Sequence, residues 1–203
     1  MVKRLASALM GAIVALTPFA FTPALGAGAG DPAGARVDAF DGALIAAMKA
    51  GAAGAKARAR GLTPAVESDF DLGAMTRFAV GPSWASMSEA QHAALIGAFT
   101  RYTVANYAHN FDSYGGQKFA ISAIQTRGAD KIVQVQLTSP HGAPVALIYR
   151  LHEAAGGWKI IDIYFNGISQ LTTRRADFAS PLASGGAAGL VGHLDALTSK
   201  LES

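Results

Sequence analysis

Apolar residues recur at helical spacing along the first half of this chain, alternate with polar ones from Gly116 onward, and return to helical spacing after Gly167. Val37, Phe40, Leu44 and Met48 share one face of a first helix. That pattern dissolves in the Ala/Gly/Lys/Arg-rich segment Ala50 to Arg60, after which Thr63 and Pro64 read as the cap and first residue of a short helix. Asp71 caps another that carries Leu72, Met75 and Phe78 and stops at Gly81-Pro82. Ser88 and Gln91 form a capping-box pattern that opens a long helix to about Tyr114. Its apolar residues form two stripes: Leu95, Phe99 and Tyr102 lie together, while Ile96, Tyr107, Phe111 and Tyr114 lie further round. A helix apolar over so much of its circumference touches two neighbours.

The alternating segment predicts four strands, at about 117 to 126, 130 to 139, 144 to 153 and 157 to 166. The joins RGAD, SPHGAP and AAGG are too short for parallel crossovers, so the strands form an antiparallel meander. Pairing Leu137 with Val145 across SPHGAP sets Val135 opposite Leu147 and Val133 opposite Tyr149, all on one dry face. Ala146 and Ile148 make the third strand apolar on its other face too, so the sheet is covered there or lines a cavity. The class is α+β: a four-stranded antiparallel sheet packed against a helical layer.

After Gly167, Ile168, Leu171, Arg175 and Phe178 fall on one helical stripe that is interrupted near Pro181. A last amphipathic helix carries Leu190, Leu194, Leu197 and Leu201. Arg175 is a permanent charge on an apolar stripe, and burying it unpaired costs several kcal/mol, so it requires a counter-charge. Asp162, on the preceding strand, is the nearest candidate. The pair either fixes the strand-to-helix angle or leaves Arg175 to hold an anionic head group at a pocket mouth. Arg174, off the stripe, is expected to face solvent.

Lys3 and Arg4, the apolar run Leu5 to Leu16 and the small residues Ala27-Gly28-Ala29 have the form of a signal peptide with its cleavage site. The expected division is therefore residues 1–29 as signal and cleavage region and residues 30–203 as one domain in the periplasm. The apolar run is too short to span a bilayer, and no other stretch reaches the roughly 20 apolar residues required, so no stable membrane insertion is expected. Gly26 to Gly34 reads as a disordered Gly/Ala linker.

The chain has no cysteine, which removes disulfides and lipid attachment through a cysteine and leaves the core to apolar burial. Lys3 and Arg4 account for two of the three formal positive charges. No Lys/Arg face interleaved with aromatics exists to bind nucleic acid. Lys56, Arg58 and Arg60 read as a solvated helix end.

Catalytic patterns are weak. The five histidines are scattered, and His152-Glu153 lacks the second histidine of a zinc helix, so neither metal nor cofactor is expected. Gly81-Pro82-Ser83-Trp84-Ala85 approaches a nucleophile elbow but ends in Ala and sits between helices. Asp162, Tyr149 and Tyr164 are the one combination able to pair a general base with an oxyanion donor in a ketosteroid-isomerase-like cone.

Trp158 to Asp162, Gly167-Ile168-Ser169 and Arg175-x-x-Phe178, with Phe70-Asp71-Leu72, Met75-Thr76-Arg77, Ala79 to Trp84 and Tyr149-Arg150, resemble the MlaC-type periplasmic lipid carriers, the toluene-tolerance auxiliary family. Within it the chain is most similar to the hopanoid-biosynthesis-associated branch, HpnM. The resemblance extends from Phe40 to Leu201 and implies a curved sheet packed against a helical layer, with a deep apolar pocket for lipid tails between them and no enzymatic turnover. It implies a phospholipid or hopanoid cargo. The implied partners are an inner-membrane transporter of the ABC or resistance-nodulation-division type and an outer-membrane lipoprotein complex. The candidate tail-binding residues are Phe99, Tyr102, Val133, Val135, Leu137, Val145, Leu147, Tyr149, Ile161, Ile163 and Phe178. An isomerase-like periplasmic enzyme and a scaffold without lipid are the two competing classes.

Overall fold

The structure is a computed structural model and describes residues 30–203; the signal-peptide and cleavage reading lies outside the described residues. The first helix, α1 (Pro32–Lys49), starts where Asp31 accepts hydrogen bonds from the backbone N–H groups of Ala33 and Gly34, so Asp31 to Gly34, expected in the linker, are the cap and first turn of a helix. Val37, Phe40, Leu44 and Met48 form its buried face as the spacing requires. A single 3-10 turn at Gly51–Ala53 leads into α2 (Ala55–Asp69).

This second helix corrects two expectations. Pro64 lies inside it rather than at its start, on the solvent side, while Leu62 and Val66 are buried either side of it and carry the helix across the missing N–H. Arg58 is not solvated but 7% exposed. Its guanidinium donates through Nε to the Ala108 carbonyl at 2.8 Å and through one terminal nitrogen to the Gly51 carbonyl at 2.7 Å. Ala108 lies in the last turn of α4 (Glu89–Asn110), where carbonyls lack helical partners and a cation is favoured.

Asp71 caps α3 (Leu72–Val80), accepting from the Ala74 N–H at 2.8 Å, and a 3-10 turn over Gly81–Ser86 connects it to α4. Phe78, expected on the buried stripe of α3, is 44% exposed. The Ser88–Gln91 capping box is present in full at the start of α4. That helix ends at Asn110 instead of Tyr114, which stands exposed in the following loop.

The sheet is a meander in the order β1-β2-β3-β4-β5, comprising β1 (Lys118–Arg127), β2 (Asp130–Thr138), β3 (Val145–Ala154), β4 (Gly157–Phe165) and β5 (Ile168–Ser169). Leu137 pairs with Val145, Val135 with Leu147 and Val133 with Tyr149, as the alternation demands. The sheet has five strands rather than four. Asn166 and Gly167 both adopt positive φ, 48° and 81°, and turn the chain back so that Ile168 and Ser169 pair with Phe165 and Tyr164. Two residues of strand are too few to show alternation, but Asn-Gly is the sequence favoured for such a hairpin.

Two bulges interrupt the ladders. Ser122 lies between the paired residues Ile121 and Ala123, and Ile161 lies between Ile160, opposite Leu151, and Asp162, opposite Arg150. Each inserts an unpaired residue and sharpens the local twist.

The last helix, α5 (Gln170–Glu202), runs past Pro181 and breaks instead at Gly186, whose φ of 58° and ψ of −150° only glycine adopts freely. Helix α4 packs against both α2 and α5, as its two apolar stripes required. Phe40 stands at the centre of the core, edge-on to Phe70 at 4.8 Å, to Tyr107 at 5.1 Å and to Tyr149 at 6.4 Å, joining α1, the end of α2, α4 and β3.

Candidate functional site

Helix α1 covers the end of the sheet where Val133 and Tyr149 pair, and its residues fill the space against that face. At the other end the sheet and α4 stand apart, enclosing a cavity of about 640 Å³. That is the size of a ligand site rather than of a packing defect.

The sheet wall is built from pairs on one face: Leu137 with Val145, Leu147 with Phe165 and Tyr149 with Ile163. The opposite wall is α4, where Phe99, Tyr102, Thr103, Asn106, Tyr107 and Asn110 follow at steps of three or four or their neighbours and so face the same way. Leu44, Phe70 and Met75 contribute further apolar lining.

The lining turns polar at the start of α5, where Gln170, Thr173, Arg174 and Asp177 line the cavity and Asp177 is exposed. The Arg174 guanidinium sits 5.1 Å from the centre of the Tyr102 ring and 3.2 Å from an Asp177 carboxylate oxygen. Asn106 and Asn110 of α4 add neutral amides to the lining.

Two carboxylates anchor the walls. Asp162 accepts from the Leu171 N–H at 3.1 Å on one oxygen and from the Ser169 hydroxyl at 2.6 Å on the other, tying β4 to the first turn of α5. Asp41 accepts from the Tyr149 hydroxyl at 2.6 Å on one oxygen, while its other oxygen is buried without a protein partner. Burial pushes the Asp41 carboxyl up to about 7; the hydrogen bond from Tyr149 opposes that rise and the nearby Asp38 adds to it. Burial is also the main reason that the hydroxyls of Tyr102, Tyr107 and Tyr149 are raised above the ordinary tyrosine value and stay neutral.

Of the candidate tail-binding residues, Phe99, Tyr102, Leu137, Val145, Leu147, Tyr149 and Ile163 lie on the cavity wall. Four do not. Val133 and Val135 are 0% and 2% exposed and packed in the core. Phe178 packs edge-on to Phe99 at 6.0 Å, behind the wall, and Ile161 is the bulge residue of β4.

The expected pairing of Arg175 with Asp162 is absent. Both oxygens of Asp162 are engaged by α5 itself, and Arg175 is exposed, lying 5.3 Å from the Phe78 ring in an outer groove with Trp84 and His92. Neighbouring Arg174, expected in solvent, takes the place at the cavity. Leu171 and Phe178 of the same stripe stay buried, while Arg175 departs from it.

Asp162, Tyr149 and Tyr164 do not converge on a common point. The Tyr149 hydroxyl is held by Asp41, and Tyr164, next to the inward-facing Ile163, lies on the opposite face of the strand. Ser83 lies in the 3-10 turn between two helices, where no strand supports a nucleophile elbow. Among the described residues no cluster of three or more His, Asp or Glu side chains is arranged to hold a metal ion.

Asp41 was legible by the same reasoning applied to Arg175, since it sits on the apolar stripe between Val37 and Leu44. Arg174, Asp177, Asn106 and Asn110 carry no such signal, because only the angle between α4 and α5 brings them to one cavity.

An apolar cavity between an antiparallel sheet and a helical layer, with a mixed-charge lining on one helix, defines a ligand-binding α+β protein. The family model of the MlaC protein matches residues 39–196, and the chain belongs to that family. A solved phospholipid-binding protein from Ralstonia solanacearum, in complex with a phospholipid, shares the fold with a TM-score of 0.72 and 24% identity; the match covers 85% of this chain and 100% of that one.

Proposed function

We propose that this protein is a periplasmic lipid carrier that shuttles phospholipid between the inner and outer membranes without chemical turnover. The observation that carries the reading is the cavity of about 640 Å³, with apolar walls and a polar segment at the start of α5. Tails bury against the sheet and α4 while a head group stays near that polar segment.

The energetics favour such a vessel. Transferring a tail of about 16 carbons into open water costs on the order of 12 kcal/mol at about 0.8 kcal/mol per CH₂, so a carrier must enclose most of its length. Membership of the MlaC family supports the carrier role, and the phospholipid in the structural neighbour supports phospholipid over hopanoid as cargo. Among the described residues no helix is long and apolar enough to cross a membrane. The carrier exchanges cargo with an inner-membrane transporter of the ABC or resistance-nodulation-division type and with an outer-membrane lipoprotein complex.

Mass spectrometry of lipid extracted from protein purified out of its native envelope tests the reading. Phospholipid in near-stoichiometric amount is the expected result. Hopanoid in its place would reassign the cargo, and lipid-free protein that takes up nothing from phospholipid vesicles would overturn the carrier role.

A further inference from the structure

The cavity lining contains three charged side chains, Asp162, Arg174 and Asp177. Asp162 is fully engaged by Ser169 and the Leu171 N–H, which leaves Arg174 and Asp177 as the charges open to a ligand. Their side chains retain 24% and 48% of their exposure, so both reach solvent at the cavity edge.

Their mutual ion pair is weakly held. It spans 3.2 Å at a partly exposed position, where such pairs contribute little. The cation also precedes the anion along the helix, the less favourable order relative to the helix dipole. Arg174 has a second support in the Tyr102 ring 5.1 Å away, so its guanidinium stays over the cavity when Asp177 lets go.

Two of the N–H groups at the N-terminus of α5 are already engaged. The N–H of Leu171 is taken by Asp162 and that of Thr172 by the Ser169 hydroxyl. Arg174 is the one cation of the cavity lining, so it is the charged group that meets a phosphate, and its planar fork suits one.

Resting on the carrier reading, we infer that Arg174 and Asp177 form a head-group reader matched to zwitterionic phospholipids of the phosphatidylethanolamine kind. Such a head group carries a phosphate and an ammonium joined by a short alkyl link. It replaces one intramolecular ion pair by two intermolecular ones, phosphate on Arg174 and ammonium on Asp177. A head group with the phosphate alone satisfies Arg174 but strands the Asp177 carboxylate beside a negative charge, which selects against it. The remaining polar lining of Asn106, Asn110, Gln170 and Thr173 is neutral and does not alter that balance.

The test incubates lipid-free protein with vesicles of equal parts phosphatidylethanolamine and phosphatidylglycerol of matched tails, then quantifies the extracted lipids. The wild type should favour phosphatidylethanolamine about three- to fivefold, the ratio that one partly exposed charge pair supports. Asp177→Asn should abolish or invert the preference. Arg174→Gln should lower uptake of both lipids. Far-UV circular dichroism and melting confirm that each variant is folded, and Asp177→Asn, a near-isosteric change at an exposed helix position, keeps the test open should Arg174→Gln fold poorly. Uptake in proportion to the vesicle composition, or an unchanged ratio in Asp177→Asn, overturns this inference and leaves the carrier standing. No uptake by the wild type overturns both.

Discussion

The Tyr149 hydroxyl donates to Asp41 at 2.6 Å, joining the middle of β3 to the middle of α1 through a carboxylate that is 4% exposed and whose second oxygen has no protein partner. Burial raises the Asp41 carboxyl to about 7 from 3.8, so the folded protein holds a proton there that the unfolded chain has released. Between these values the folded state binds more protons than the unfolded state. Stability is therefore fully present below about pH 4, falls as pH rises toward about 7, and is level above it, with a total change on the order of 4 kcal/mol from this group. Asp41→Asn keeps an acceptor for Tyr149 and cannot ionise. Urea unfolding at pH 5 and pH 8 should show the wild type losing stability at the higher pH and the variant losing much less; equal slopes would contradict the assignment.

Leu147 and Val133 lie on the same face of the sheet, but one lines the cavity and the other is packed core. Leu147→Glu should leave a folded protein that no longer retains lipid. Val133→Ala should lower stability by about 1 to 3 kcal/mol while lipid recovery stays near wild type. Melting curves paired with lipid extraction separate the two, and wild-type lipid content in a folded Leu147→Glu protein would remove this wall from the site.

Asp162→Ala removes the acceptor of the Leu171 N–H and one acceptor of the Ser169 hydroxyl at the start of α5, a loss of about 1 to 2 kcal/mol by analogy with helix caps. Arg175→Met, at an exposed position, should change stability by no more than about 0.5 kcal/mol. A thermal double-mutant cycle should give a coupling near zero. A large coupling would restore the ion pair that the geometry denies.

Arg58 bridges two backbone carbonyls, one in the loop after α1 and one in the last turn of α4. Arg58→Met should lower stability by about 3 kcal/mol, since two charge-assisted bonds are lost and their acceptors are left without a donor. Arg58→Lys should recover part of that, because a single ammonium does not reproduce the two-armed fork. A variant melting with the wild type would place the side chain back in solvent.

Much of the architecture was legible because it is local. The period of two across Val133 to Leu137 and Val145 to Tyr149 leaves one register that keeps both dry faces together, and the structure adopts it. The Ser88–Gln91 box and the Asp71 cap likewise act within a single turn. Where local rules went astray, a distant group had intervened. Pro64 stays inside α2 because Leu62 and Val66 are buried on either side of it, and Arg58 leaves solvent because α4 ends beside it.

The sequence by itself determined a helical layer, an antiparallel meander with one dry face, and the apolar positions from which a cavity wall could be drawn. Periodicity says which side of an element is apolar, because that depends only on spacing along the chain. It does not say whether the facing element lies close enough to fill the space. Only the tertiary structure decided that α1 covers Val133 while α4 stands off from Leu147. It also decided that Arg174 rather than Arg175 lines the cavity. Separations and crossing angles between elements arise from the sum of all their contacts, and no single stretch of chain carries that sum.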